Sequence, residues 1–288
     1  MRFYCVAITK KQRVRIKMNN TDLQAYLDKI GVAQALDINI ELLFKLHINQ
    51  QRKLPFENFD IVLGKGVSTS ERDIIDKLVY HNRGGYCFEL NGLLLRVLQT
   101  LGFDARPLLG RVHLSGTPLG RTHQFTLVTM GDEKWIVDAG FGANTPRAPL
   151  PFILNQAIYT DTQTFRFIED ERVGYMLQVQ SYDDESQWLD MYSMDFEHVF
   201  DGDIICGNHF ASTSPASRFT SSRVATLSTE SGIITLANYT LKHRANGEAT
   251  EVELEAGPAY LSALKQHFGI ELDAEYQDLK PLPIASRV

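Results

Sequence analysis

Arg83-Gly84-Gly85-Tyr86-Cys87-Phe88-Glu89-Leu90-Asn91 is the stretch from which the rest of the sequence is read. Two adjacent glycines permit a tight backbone turn. The residues after them have helical period: Asn91, Leu94 and Leu98 share one face, and Leu90, Leu93 and Val97 supply another. The spacing predicts a helix from Cys87 to about Thr100, ended by Leu101-Gly102. Cys87 then falls in the first turn, where free N–H groups and the helix dipole favour a thiolate over a thiol. An isolated cysteine is ordinarily a small buried hydrophobe. The glycine pair and the aromatic ahead of a helix start set this one apart.

Working outward, the first hundred residues read as helical. Thr21 and Gln24 form a capping box ahead of Leu23, Tyr26, Leu27 and Ile30. Residues 39–49 and 70–80 give two further helices. The inserts around 55–60 and 81–86 are where chemistry is expected. After Gly102 the period changes to two: 103–113, 123–130, 134–139, 165–170, 173–181 and 187–192 are short β-rich runs, pointing to an antiparallel sheet or small barrel. The Ser-, Thr-, Asn- and Gly-rich region 196–222 reads as loops. Strands follow at 223–229, 232–238 and 249–254, then a helix from Pro258 to Phe268.

At 288 residues the chain has room for about two domains on size alone. Its 29 basic and 35 acidic residues give a net charge of −6, and no basic stripe marks a nucleic-acid surface. Residues 1–17 hold six of the basic residues and no acid, leaving 23 basic against 35 acidic in the body, near −12. Their apolar run, 3–8, is too short for a signal peptide or a membrane span. They read as a loosely ordered leader, or as a start placed upstream of Met18. Cys5, Cys87 and Cys206 cannot build a multi-bridge framework, which points to a reducing, cytoplasmic setting.

A thiolate nucleophile needs a proton acceptor and a group to orient it. His123 and Asp138 lie on the two arms of a hairpin whose turn is centred on 131–133. Asp138 then falls opposite residue 125 or 127, with the parity of His123 and on the same face. A carboxylate and an imidazole turned inward together are costly unless paired, so a Cys87-His123-Asp138 triad is expected. No metal site is expected: there is no HExxH and no cysteine pair at ligand spacing. The remaining histidines, His47 among them, read as surface or packing residues, with His209 singled out for its polar neighbourhood. A carboxylate at Glu57 could hold Arg83 by a bidentate pair and fix the glycine turn.

Four blocks in register, Pro55-Phe56-Glu57-Asn58, Arg83 to Glu89, Thr122-His123, and Trp135-Ile136-Val137-Asp138-Ala139-Gly140-Phe141-Gly142, resemble the arylamine N-acetyltransferases. The likeness runs from about Met18 through nearly the whole chain, including Asn208 to Phe219. It implies an α+β fold with a cysteine-protease-like Cys-His-Asp core: a helical domain (18–102), a β-barrel-like domain (103–207) and an α/β lid (208–288). It implies acetyl-CoA as co-substrate, with no permanently bound cofactor, and arylamines, arylhydrazines or N-hydroxyarylamines as acceptors, in the setting of xenobiotic metabolism. Matched residue by residue, Cys87 carries the acyl group, His123 is its base and Asp138 orients the base. Phe141, Phe56 and Tyr86 line the acceptor pocket; Asn208, His209, Phe210, Ser212 and Thr213 approach the coenzyme. The N–H groups of Cys87 and Gly140 are candidate oxyanion donors. Leu90 stands where the family often has glutamine, and Ala139 where it has valine. Little room exists between Gln180 and Met194 for the loop insertion of mammalian members, so the chain resembles the bacterial type. No nucleic-acid or membrane partner is expected. The alternatives are an amide synthase of macrolactam assembly, which the same resemblance covers, a cysteine hydrolase or transglutaminase-like enzyme, and a catalytically idle binding protein.

Overall fold

The computed structural model describes residues 18–33, 37–114, 116–182 and 184–282; the 1–17 leader and Cys5 lie outside the described residues. Helix α1 (Asn20–Ile30) is capped by Asn19, whose side chain accepts from Asp22 N at 2.9 Å. Asparagine outranks threonine as a cap, so the helix starts ahead of the expected Thr21 box. Helix α2 (Ile40–Lys53) extends a turn beyond its expected end, because Gln50 and Gln51 are buried despite their polarity. Strand β1 (Phe56–Glu57), α3 (Phe59–Val62) and α4 (Glu71–Ile75), which continues as a π-helical turn to Tyr80, lead to α5 (Cys87–Leu101). Gly102 ends α5 at φ 109°, a conformation glycine adopts without steric cost. Every residue from Cys87 to Leu95 is buried, so α5 is a core helix and not a surface one.

Strands β2 (Asp104–Val112), β3 (Arg121–Met130), β4 (Glu133–Val137), β5 (Leu150–Pro151), β6 (Ile158–Tyr159), β7 (Thr164–Asp170), β8 (Gly174–Gln180) and β9 (Trp188–Met194) form one antiparallel sheet. Its order is β5-β4-β3-β2-β9-β8-β7-β6. Alternation explains its two faces. Leu108, Phe125, Leu127, Ile136, Phe167, Leu177 and Tyr192 gather into one barrel-like interior. Residues of opposite parity, among them Ala105, Leu109, Val128 and Val137, pack against α5. The sheet therefore carries two cores, and the second one joins it to the helices.

The region read as loops contains a helix, α6 (Asp201–Thr213), and the boundary expected at 207/208 falls inside it. Its sequence has no single apolar stripe. Close packing holds it: a Cβ on Gly207 would lie 2.8 Å from the Phe88 ring and 3.1 Å from Arg121 O. Beyond it, β10 (Val224–Ser228), β11 (Gly232–Ala237), β12 (Thr240–Ala245) and β13 (Glu248–Glu253) form an antiparallel sheet with β1 as its outer strand. The Lys242-His243-Arg244 run of β12 conceals it in the sequence. Helix α7 (Pro258–Phe268) covers this sheet through Tyr260, Leu264 and Phe268. The fold is α+β: a helical N-terminal part, a barrel-like sheet and an α/β C-terminal part. The pairing of Phe56 with Thr226 and of Glu57 with Ala225 stitches the first part to the last.

Candidate active site

The start of α5 is fixed by close backbone approach. A Cβ on Gly84 would sit 1.9 Å from Pro55 O, and one on Gly85 would sit 2.7 Å from the Glu89 carboxylate. Space, not a left-handed φ, demands both glycines. Gly85 N donates to Pro55 O at 3.2 Å, and Glu57 N donates to Gly85 O at 2.9 Å. Glu89 Oε2 accepts from Tyr86 N at 3.1 Å and closes the first turn with Cys87 as its first residue.

Behind this turn lies a buried ionic cluster. The expected Glu57–Arg83 pair is present, but not as a fork on two oxygens. Arg83 Nε and Nη2 both lie 2.8 Å from Glu57 Oε1, while Nη2 also reaches Asp60 Oδ1 at 2.8 Å. This leaves Glu57 Oε2 to accept from Phe59 N at 2.7 Å. Lys77 bridges Asp60 at 2.6 Å and Glu89 at 2.7 Å. The sequence reading paired Glu57 with Arg83 but gave no role to Asp60, Lys77 and Glu89: Asp60 and Glu89 stand inside stretches singled out for other reasons, and Lys77 has no local signal.

On the facing sheet, Met130 pairs with Glu133, leaving Gly131-Asp132 as the turn. The last ladder pair, Thr126 with Val137, puts Asp138 one residue on and level with Phe125, in the parity of His123. His123 Nε2 donates to Asp138 Oδ2 at 2.8 Å, and both side chains are buried. Nδ1 is then the nitrogen left for sulfur. Burial opposes a charged imidazole, but the Asp138 charge and hydrogen bond, aided by Cys87, outweigh it and raise His123 to about 10. Burial likewise opposes the Asp138 carboxylate, and His123, Asn91 Nδ2 (2.8 Å to Oδ1) and Gly140 N (3.1 Å) reverse this to hold it below its usual range. Cys87 Sγ lies 3.7 Å from Thr122 O, and Cys87 and His123 line the same cavity, where the sulfur is one of the groups that favour the imidazolium.

Cys87, His123 and Gly140 open on a cavity of about 250 Å³ whose aromatic walls are Phe56, Phe141, Phe210 and Phe219. Phe56 and Phe141 lie where expected, the latter edge-on to His123 at 4.9 Å between ring centroids. Tyr86 does not line the cavity: it is wholly buried behind it, with its hydroxyl on Asn208. Of the five residues expected near a coenzyme, only Phe210 reaches the cavity. Asn208 is held by Tyr86 and by Val67 O, Ser212 Oγ bonds Asn208 O, Thr213 Oγ1 bonds His209 O, and His209 is exposed. Helical geometry separates them, since successive residues point in different directions. Ser217, Arg218 and Phe219 reach the cavity instead. Gly140 N–H is engaged by Asp138, so it is not a free oxyanion donor; Cys87 N–H, at the head of α5, belongs to the helix's orphan donors. Among the described residues, no three His, Cys, Asp or Glu side chains are placed to hold a metal ion.

A thiol set against a paired imidazole in an apolar recess is the equipment of an enzyme that carries an acyl group on sulfur. The profile of the N-acetyltransferase family matches residues 39–277. An arylamine N-acetyltransferase of Escherichia coli is 35% identical over 255 residues, covering 87% of this chain and 89% of its own. The solved arylamine N-acetyltransferase of Salmonella typhimurium superposes with a TM-score of 0.84 at 31% identity, covering 90% of this chain and 96% of its own. That of Mycobacterium marinum, solved in complex with CoA, gives 0.83 at 31% identity, covering 90% and 97%. The chain belongs to the arylamine N-acetyltransferase family.

Proposed function

We propose that the protein moves an acetyl group from acetyl-CoA to Cys87, and from there to an arylamine, arylhydrazine or N-hydroxyarylamine. The observation that carries this reading is the thiol facing His123 at the floor of an aromatic-walled cavity. In the first half-reaction the Cys87 thiolate attacks the thioester carbonyl, the C–S bond to coenzyme A breaks, and the departing thiolate takes the Nδ1 proton of His123 and leaves as free coenzyme A thiol, with His123 now neutral. One thioester replaces another, so the step is close to thermoneutral. In the second, the amine nitrogen attacks acetyl-Cys87, His123 takes the amine proton through Nδ1, and the Cys87 thiolate departs. Asp138 keeps the other imidazole nitrogen protonated and stabilises the imidazolium. Cys87 N–H is the donor we assign to the tetrahedral oxyanion. Arylamines suit an apolar cavity because they are largely unprotonated at neutral pH. The four phenylalanines favour them over water, and so transfer over hydrolysis.

We assign Arg218, exposed beside the cavity, to the anionic part of the coenzyme. We divide the chain into units of 18–102, 103–200 and 201–282, which keeps α6 whole. Among the described residues no helix is long and apolar enough to cross a membrane. With few cysteines in the chain, we place the protein in the cytoplasm.

Mass spectrometry tests the reading. Acetyl-CoA without acceptor is expected to add one acetyl group at Cys87, and an arylamine to remove it. Acetylation of Cys5 or Cys206 with Cys87 untouched overturns the assignment.

A further inference from the structure

We infer that His47 and Gln51 are positioning residues for the triad: a neutral hydrogen-bond relay that holds the Asp138 main chain and ties it to the C-terminal sheet. The inference rests on the proposed role of Asp138.

Asp138 follows the last ladder pair of β4, so its carbonyl lies beyond the sheet's own hydrogen bonds. A buried carbonyl without a partner is costly. The donor it finds is His47, wholly buried on α2 and 91 residues away in sequence, whose Nε2 lies 3.0 Å from Asp138 O. One helical turn further on, Gln51 fixes which imidazole nitrogen carries the proton. Gln51 Oε1 accepts from Ser228 Oγ at 3.0 Å; Gln51 Nε2 donates to Arg147 O at 2.8 Å and faces His47 Nδ1 at 3.3 Å. Reversing the amide would set its oxygen against Arg147 O. Gln51 is therefore the donor toward Nδ1, Nδ1 is an acceptor, and Nε2–H points at Asp138 O.

His47 must also be neutral. The charged groups acting on it are Asp138 and Arg147. The Arg147 guanidinium is itself occupied by Asp161, Thr229 O and Gly232 O. Burial, partly offset by the Asp138 carbonyl and charge, lowers His47 to about 4. A charged His47 would compete with His123 for the field of Asp138. A neutral one anchors the backbone and leaves the carboxylate to His123 alone. The far end of the relay is Ser228 on β10, so a shift of the C-terminal sheet is felt at Asp138.

The test compares His47→Leu, His47→Gln and Gln51→Met with the full-length wild type. It measures the rate of Cys87 acetylation by acetyl-CoA, the acetyl-CoA concentration for half-maximal rate, the pH profile of Cys87 alkylation by iodoacetamide, and the thermal midpoint. His47→Leu is expected to slow acetylation about tenfold, with the half-maximal concentration unchanged within twofold. The acid limb of the alkylation profile is expected to move upward by about half a pH unit, because a misdirected carboxylate holds the His123 proton less firmly. His47→Gln, whose amide nitrogen can take the place of Nε2, is expected to stay within about threefold of wild type. Gln51→Met, which frees Nδ1, is expected to move rate and limb in the direction of His47→Leu by about threefold. A folded His47→Leu with wild-type rate and limb overturns the inference, as does a loss confined to the thermal midpoint. Should His47→Leu fail to fold, Gln51→Met decides on the same two readouts. A wild-type protein that takes no acetyl group at Cys87 removes the underlying reading, and this inference with it.

Discussion

Two networks stand behind Cys87 and His123, and they are built from opposite materials. Behind the thiol, Arg83 and Lys77 meet Glu57, Asp60 and Glu89 within one buried cluster. Behind the imidazole, Asp138 is the carboxylate that His123 pairs with among the described residues, and the groups hydrogen-bonded to that aspartate beside it are neutral: Asn91 Nδ2, Gly140 N and, on its carbonyl, His47. The first network fixes the path of a backbone, where paired charges do no harm. The second must deliver one negative charge to one proton, and any further charge would dilute it. Charge is used for position on one side and reserved for chemistry on the other.

Breaking the chemical side is expected to give the largest effects. Cys87→Ser should abolish transfer without unfolding the chain, because His123 cannot keep a serine hydroxyl ionised. Asp138→Asn should retain less than about 1% of activity; the matching change in the serine-protease triad costs roughly 10⁴. An amide can offer N–H to the imidazole and fix the wrong tautomer. Steady-state acetyl transfer with matched circular dichroism checks both, and near-wild-type turnover in Asp138→Asn would take Asp138 out of the triad.

Breaking the positional side should cost stability first. Arg83→Met removes one partner from buried carboxylates, and such breaks cost about 3–5 kcal/mol. Urea melts read this directly. A loss below about 1 kcal/mol would show that the cluster is a solvated ornament and not the frame of the glycine turn.

The comparison also sets a pH window. With His123 raised to about 10, its proton is held across neutral pH and faces the sulfur. Alkylation of Cys87 by iodoacetamide should therefore stay fast at neutral pH, below the 8.5 of a free thiol. The falling limb of that profile reports on His123 as well as on the sulfur. His123→Ala should move that limb toward 8.5. A wild-type profile rising with a single midpoint near 8.5 would mean that no ion pair exists before acetyl-CoA binds.

What the sequence disclosed follows the same division. The α5 period, the Gly131 turn and the parity of His123 and Asp138 are local patterns, and they carried the place of Cys87 at the head of α5 and the pairing of His123 with Asp138 from residues alone. Glu57 and Arg83 stood in conspicuous motifs, so their pairing was legible while the three other members of the cluster were not. Lys77, His47 and Gln51 are polar residues of ordinary helices, while Asp60 and Glu89 stand inside stretches read for other reasons; nothing local marks any of them as a partner in a buried network. Helix α6 was missed for a related reason. Its burial comes through Gly207 and Asn208, residue types that read as turn formers, and the five residues expected to share one task point in different directions from it.

The smallest effect is expected where the charged network carries its excess. Asp60→Asn leaves two cations facing two carboxylates, and the amide oxygen can still accept from Arg83 or Lys77. Stability at pH 7 should fall by less than in Arg83→Met, with acetyl transfer within about threefold of wild type. The pH dependence is the sharper readout. Burial works against the Asp60 carboxylate, but Lys77 and Arg83 outweigh it and hold the group below its usual range. A carboxyl depressed in the folded state stabilises above its unfolded value, near 3.9, and that contribution disappears as pH falls through the folded value. The gap in stability between wild type and Asp60→Asn should therefore be widest above about pH 4 and close below it, which melts at pH 7, 5 and 3 will show. A gap that widens on acidification would mean that Asp60 is protonated in the native cluster and acts as a donor there. A loss as large as that of Arg83→Met would mean that the third carboxylate is as necessary as the arginine, and the contrast between a charge-tolerant and a charge-reserving network would fail.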